Sequence, residues 1–197
     1  MRTDALETCT CMTTFRATVY EILLATCELS RGFTVWWMLT DQKSIQGHDA
    51  AFKTCPAFFN TVREALFQEI FVITCQLFDS DPQTKSIPNV IIELETSNPS
   101  VAHHLQTEAD KLQPILRAMR IVRHNVYAHR NRGLLAEEFF KKANLSKRKV
   151  ETAIQTTKAI VTKLAEIAEW GPKISDYEDA ARSDTWNLLE ILQSSEK

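Results

Sequence analysis

The chain has 197 residues, 44% of them hydrophobic and 24% charged, with a formal net charge of −2, enough apolar material for one core that buries roughly 70% of the unfolded surface. Four glycines and six prolines leave few tight turns or hairpins, while Ala, Leu, Glu, Lys and Gln fill long stretches, so the predicted class is all-α. No run approaches the eighteen consecutive apolar residues of a membrane span, and "MRTDALETCT" has acids and threonines where a leader needs a basic start, so a cytoplasmic chain with no membrane partner is expected.

Along the chain, residues 4–30 read as a first long helix that closes near Gly32, with N-terminal helices spanning 4–45 in all. "FTVWWMLTDQ" is short and aromatic. Its Trp36 and Trp37 are expected to anchor a core or interface, with base stacking as the alternative. From Asp49, "AAFKTCPAFFNTVREALFQEIFVITCQLFD" predicts a second long helix with a start or kink at Pro56. It is apolar nearly all round after Phe67, as for the centre of a bundle. "TKSIPNVIIELE" predicts a short helix opened at Ser86 or Ile87, and "SNPS" an N-cap at Asn98 with Pro99 in the first helical position. Pro114 restarts or bends that run, which continues to Gly133, placed just past a helix end. Then come "LLAEEFFKKAN", a long segment from Ser146 through Glu169, and a polar tail with a last amphipathic helix over 176–193. Without repeats or a Gly/Ser linker, residues 1–197 are expected to form a single-domain antiparallel helical bundle with that additional C-terminal helix.

Five cysteines, Cys9, Cys11, Cys27, Cys55 and Cys75, show no framework spacing and are expected to be free thiols. The "CTC" pair has the donors for a soft metal but no matching second pair. His103 and His104, with Glu108 a turn later, lack a second ligand nearby, and adjacent helical histidines point about 100° apart. No metal and no cofactor are expected. Nor is there a Gly-rich phosphate loop, a Ser/His/Asp order or a nucleophile elbow.

The stretch "MRIVRHNVYAHRNRGLL", residues 119–135, stands apart. From Lys111 to Ala136 there is no Asp or Glu, while Arg117, Arg120, Arg123, Arg130 and Arg132 all fall within it. Such a face attracts phosphate although the whole chain does not; the plainer alternative is a solvated face paired with Glu137, Glu138 or the acidic tail. At about 100° per residue, Ile115, Met119, Val122 and Val126 form one apolar stripe. Arg123 and Arg130 lie on one shoulder of it with Arg120 and Tyr127 further round, and His129 and Asn125 lie on the other. Arg123 and His129 are about 120° apart on a straight helix, so they meet only if the last turn unwinds or if a second copy pairs along the stripe.

Imidazole beside a fixed guanidinium suits RNA cleavage. RNA carries its own nucleophile, the 2′-hydroxyl, so the protein need supply only a proton shuttle and a cation for the charge developing on phosphorus. Histidine titrates in the right range, and arginine's planar fork holds two phosphate oxygens while staying charged.

"RHNVYAHR" resembles the signature of the HEPN superfamily, an Arg and a polar residue followed by a His at the end of a helix. The closest branch is the AbiU type, associated with abortive infection, which shares an "LFD" closing an apolar helix, here Leu77, Phe78 and Asp79. The resemblance covers about residues 50–170 and implies a bundle of the HEPN type. It implies Arg123 and His129 as the catalytic pair and His124 as the polar residue that orients or binds. Asn125, Tyr127, Arg120 and Arg130 are the accompanying substrate-binding candidates. It further implies a homodimer with a composite, metal-independent ribonuclease site, RNA as substrate, and an antitoxin protein as a possible partner within a toxin–antitoxin or abortive-infection system. The alternative expectation is a non-catalytic module that uses the same cleft for a nucleotide or a partner protein.

Overall fold

A computed structural model describes residues 3–124, 141–171 and 173–194, with side chains from Thr14 onward. The described residues form eight helices and no strand, and no helix among them is long and apolar enough to cross a membrane. The class is all-α, as composition predicts.

Helix α1, Thr3–Thr40, is the spine. Phe15, Val19, Ile22, Thr26, Leu29, Phe33 and Trp36 are buried along it, spaced alternately by four and three, the pattern that keeps one stripe of a helix facing its neighbours. The expected close near Gly32 does not occur, and "FTVWWMLT" continues the same helix. Gly32 lies against α4: a Cβ built there would stand 3.6 Å from Glu69 Oε2 and 3.8 Å from Leu66 Cδ2. One glycine costs a helix about 1 kcal/mol relative to alanine, less than burying the Phe33, Trp36 and Leu39 that follow it returns.

Short helices α2, Gln42–Gly47, and α3, Asp49–Thr54, turn the chain back. Asp41 caps the first, its carboxylate accepting from the amides of Lys43 at 3.1 Å and Ser44 at 3.2 Å. Helix α4, Pro56–Leu77, starts at the proline as predicted, because proline's missing N–H is no loss in the first turn. Beyond Phe67 its Ile70, Phe71, Ile73, Thr74, Cys75 and Leu77 are buried, which places it centrally. Helix α5, Ile87–Ser97, follows Ser86, and α6, Pro99–Val122, is capped by Asn98, whose side-chain oxygen accepts from the Val101 amide at 3.4 Å. Pro114 neither ends nor restarts α6. Helix α7, Lys147–Ile167, begins after Ser146, and α8 runs Ile174–Ser194.

Helix α1 packs against α4, α5, α7 and α8, and α6 closes the bundle by packing on α4, α5 and α7. One core joins α1 and α4 to α7; a smaller cluster of Leu39, Ala51, Phe59 and Leu189 holds α1, α3, α4 and α8 together. Side-chain bonds between elements add to this packing. Trp170 Nε1 donates to the Arg16 carbonyl at 3.0 Å, and Lys158 on α7 reaches Glu178 on α8 with contacts of 2.6 and 2.7 Å.

Candidate functional site

The basic stretch begins on α6. Met119 and Val122 of the predicted stripe are fully buried and Ile115 is half-buried, all within this chain's own core, so the stripe serves the bundle and a second copy would have to dock elsewhere on α6. Val126 lies outside the described residues, as do Asn125, Tyr127, His129, Arg130 and Gly133. Arg117, Arg120, Ile121, Arg123 and His124 are exposed. At Arg123 and His124 the α-helix gives way to a wider π turn, a departure that recurs at functional sites and rotates side chains out of the straight-helix register.

The end of α6 lies against the end of α4, where "LFD" stands. Arg120 Nη2 donates to the Phe78 carbonyl at 2.8 Å, a group just past the last turn of α4 where the helix dipole is negative. The Arg123 guanidinium lies near enough to the Cys75 thiol, one turn earlier on α4, to act on it electrostatically. Cys75 lies in the last turn of α4, and Phe78 and Asp79 follow directly after its final residue, Leu77. Burial pushes the Cys75 thiol upward. The nearby Arg123 and Arg120 guanidinium groups pull the other way, and Asp79 adds to the rise. Among the described residues, neither Arg120 nor Arg123 makes an ion pair. Arg123 is thus solvent-reachable, and its N–H groups can take an anion.

The structure therefore brings together Arg120, Arg123 and, through the LFD turn, Cys75 and Asp79. Cys75 has no motif around it, and its apolar helical surroundings give it the look of core filler. The available signal is its spacing, four residues before Asp79.

The other sequence candidates settle elsewhere. Trp36 is buried and stacked on Phe67, ring centroids 4.8 Å apart, so it offers no free face for a base. Trp37 carries Lys147, whose ammonium lies 3.8 Å from its ring centre and bonds Thr40 Oγ1 at 3.1 Å. Burial lowers the Lys147 ammonium below its ordinary range, with Asp41 and Glu151 opposing. His104 and Glu108 border a cavity of about 460 Å³ between α6 and α7, together with Gln155 and Lys163. Glu108 there is bonded by Lys111 at 2.5 Å, and no group of three or more metal-ligating side chains occurs among the described residues. Cys27, Cys55 and Cys75 are free thiols.

Comparison with curated proteins and with solved structures returns no match. A family model does match: HEPN_AbiU2, described as AbiU2, over residues 12–187. The match reaches well beyond the stretch of about 50–170 that the motifs cover and takes in most of α1 and of α8. The chain belongs to the AbiU2 family of HEPN proteins.

Proposed function

We propose that this HEPN module of an abortive-infection-associated family is a metal-independent endoribonuclease that acts in a toxin–antitoxin or phage-defence setting. Family membership supports the reading, and one structural observation carries it: Arg123 stands exposed at the end of α6 and, among the described residues, makes no ion pair, a few positions before His129 in the sequence. In the reaction, the His129 imidazole accepts the proton of a ribose 2′-hydroxyl, whose oxygen attacks the adjacent phosphorus. The bond from phosphorus to the 5′-oxygen breaks, and the imidazolium returns the proton to the departing oxygen. The products are a 2′,3′-cyclic phosphate and a 5′-hydroxyl. Arg123 binds the two non-bridging oxygens as charge builds on them, an interaction stronger in the transition state than in the ground state. His124, Asn125, Tyr127 and Arg130 flank the strand, and a second copy of the chain completes the cleft.

The test is cleavage of single-stranded RNA and tRNA by the full chain in excess chelator, with end-group analysis. Wild type is expected to yield cyclic phosphate ends. His129→Ala and Arg123→Ala each abolish them, a loss of at least about 10²-fold, while the dimer persists in sedimentation. Cleavage that survives in His129→Ala rejects the mechanism. Wild type that binds nucleotide through its arginines without cutting RNA supports the non-catalytic module instead.

A further inference from the structure

A cavity of about 380 Å³ is lined from α1, α2, α7 and α8, with no residue of α4 or α6 in its wall. Its volume lies at the small end of the range for ligand pockets, about 300–1,000 Å³, so it suits one small molecule. Much of the lining is aromatic. Phe33 is buried, Trp37 is half-buried, and α8 adds the indole of Trp186. Trp186 is 45% exposed, yet its ring is held at two points. Its indole N–H donates to Glu190 Oε1 at 2.7 Å, and its ring meets that of His48 at 88° with centroids 4.8 Å apart. His48 is itself buried, and its Nδ1 lies 3.0 Å from the Ser44 carbonyl. An aromatic already fixed in place loses little rotamer freedom when a second ring stacks on it.

Charge completes the cavity, because Glu151, Glu178 and Arg182 also line it. Glu178 is engaged by Lys158 at 2.6 and 2.7 Å. Lys147, one turn before Glu151 on α7, lies over the Trp37 ring and bonds Thr40 instead. Glu151 and Arg182 are left over: among the described residues neither makes an ion pair. A carboxylate and a guanidinium that share a cavity without pairing are complementary to a ligand that carries both signs. Arginine's planar fork matches a ligand carboxylate with two parallel bonds, and an ammonium held by Glu151 gains further from an indole face. A phosphate is a poor match, since Glu151 and Glu178 stand beside Arg182 and repel it.

We infer that this cavity binds a zwitterion with an aromatic body, the chemistry shared by a free aromatic amino acid and a short peptide that contains one. Arg182 takes the carboxylate, Glu151 the ammonium, and Trp37 and Trp186 the ring. The site is separate from Arg123, and the inference does not depend on the ribonuclease reading.

The experiment is titration calorimetry on the full chain, with L-phenylalanine and phenylalanyl-glycine as probes. At least one is expected to bind saturably with a Kd below about 1 mM, and the tighter of the two identifies the source. For that probe, the C-terminal amide lacks the carboxylate and the N-acetyl form lacks the ammonium. Each is expected to bind at least about tenfold more weakly than the zwitterion, a comparison on wild type that needs no variant. In Arg182→Gln the gap between zwitterion and amide closes, and in Glu151→Gln the gap between zwitterion and N-acetyl form closes. Trp186→Ala weakens the zwitterion about tenfold, and thermal unfolding of each variant checks that it is folded.

No binding of either zwitterion up to about 10 mM, an amide or N-acetyl form as tight as its parent, or a nucleoside monophosphate that binds more tightly than both overturns the inference. A gap that persists in Arg182→Gln or Glu151→Gln overturns the role given to that side chain.

Discussion

Two buried thiols have consequences for the whole molecule's response to pH. Cys27 and Cys75 are 2% and 4% exposed, and burial raises both thiols above their ordinary range. Glu28 and Glu178 add to the rise at Cys27. In the unfolded chain these thiols ionise above about pH 8.5, while in the folded chain they keep their protons to a higher pH. The native state then binds more protons than the unfolded one, so stability is intact below the unfolded value and falls as pH rises toward the folded values. Melting temperatures measured from pH 7 to 10 are expected to decline above about 8.5, and Cys27→Ala is expected to show a shallower decline. An equal slope in that variant refutes the assignment. The arginines and the LFD turn were legible in the sequence because each is a local pattern. That Arg120 is occupied by the Phe78 carbonyl was not, because nothing short of the packing of α4 on α6 reveals which arginine meets backbone.

At the level of helices, local chemistry set the starts and tertiary packing decided the rest. Pro56, Asn98 and Ser146 act where the sequence places them, since a cap satisfies amides only two or three residues away. Gly32 and Pro114, punctuation by local rules, are overridden because the helices that contain them bury apolar stripes on both sides of the exception. Two substitutions test this balance from opposite directions. Gly32 lies in mid-helix with room for a methyl group, so Gly32→Ala is expected to stabilise by about 0.5–1 kcal/mol. Glu169, which ends α7 with φ of 58°, occupies the left-handed region that favours glycine, and its ion pair with Arg16 is exposed and 3.6 Å long. Glu169→Gly is expected to gain a similar amount. Each gain appears as a rise of about 2–4 °C in Tm per kcal/mol for a chain of this size. A fall in Tm for Gly32→Ala would mean that α1 and α4 approach more closely than the Leu66 and Glu69 contacts indicate.

For the molecule as a whole, the all-α class follows from composition, yet the sequence presents the last helix as a polar tail. Helix α8 in fact buries Ile174, Ala181, Thr185 and Leu189 and packs on α1 and α3. Its amphipathic pattern was readable, but its partners were not, because they lie at the other end of the chain. Lys158 and Glu178, 19% and 15% exposed, join α7 to α8, and removing one partner strands the other charge in a largely dry site. Glu178→Ala is therefore expected to cost about 2–3 kcal/mol, read by chemical denaturation. Glu166→Ala, which breaks the exposed pair with Lys163, is expected to cost under about 1 kcal/mol. Equal losses would place Lys158 in water.

The spine's position also bears on how the protein is born. Helix α1 leaves the ribosome before the other helices, yet α7 and α8, which cover two of its flanks, are synthesised only after α6 and the arginine-bearing segment. Until then the flanks of α1 that α7 and α8 will cover stay wet and open to neighbouring nascent chains. A polysome carrying many such chains is where unwanted association would begin, and a partner that shields these flanks during translation would raise the yield of folded protein.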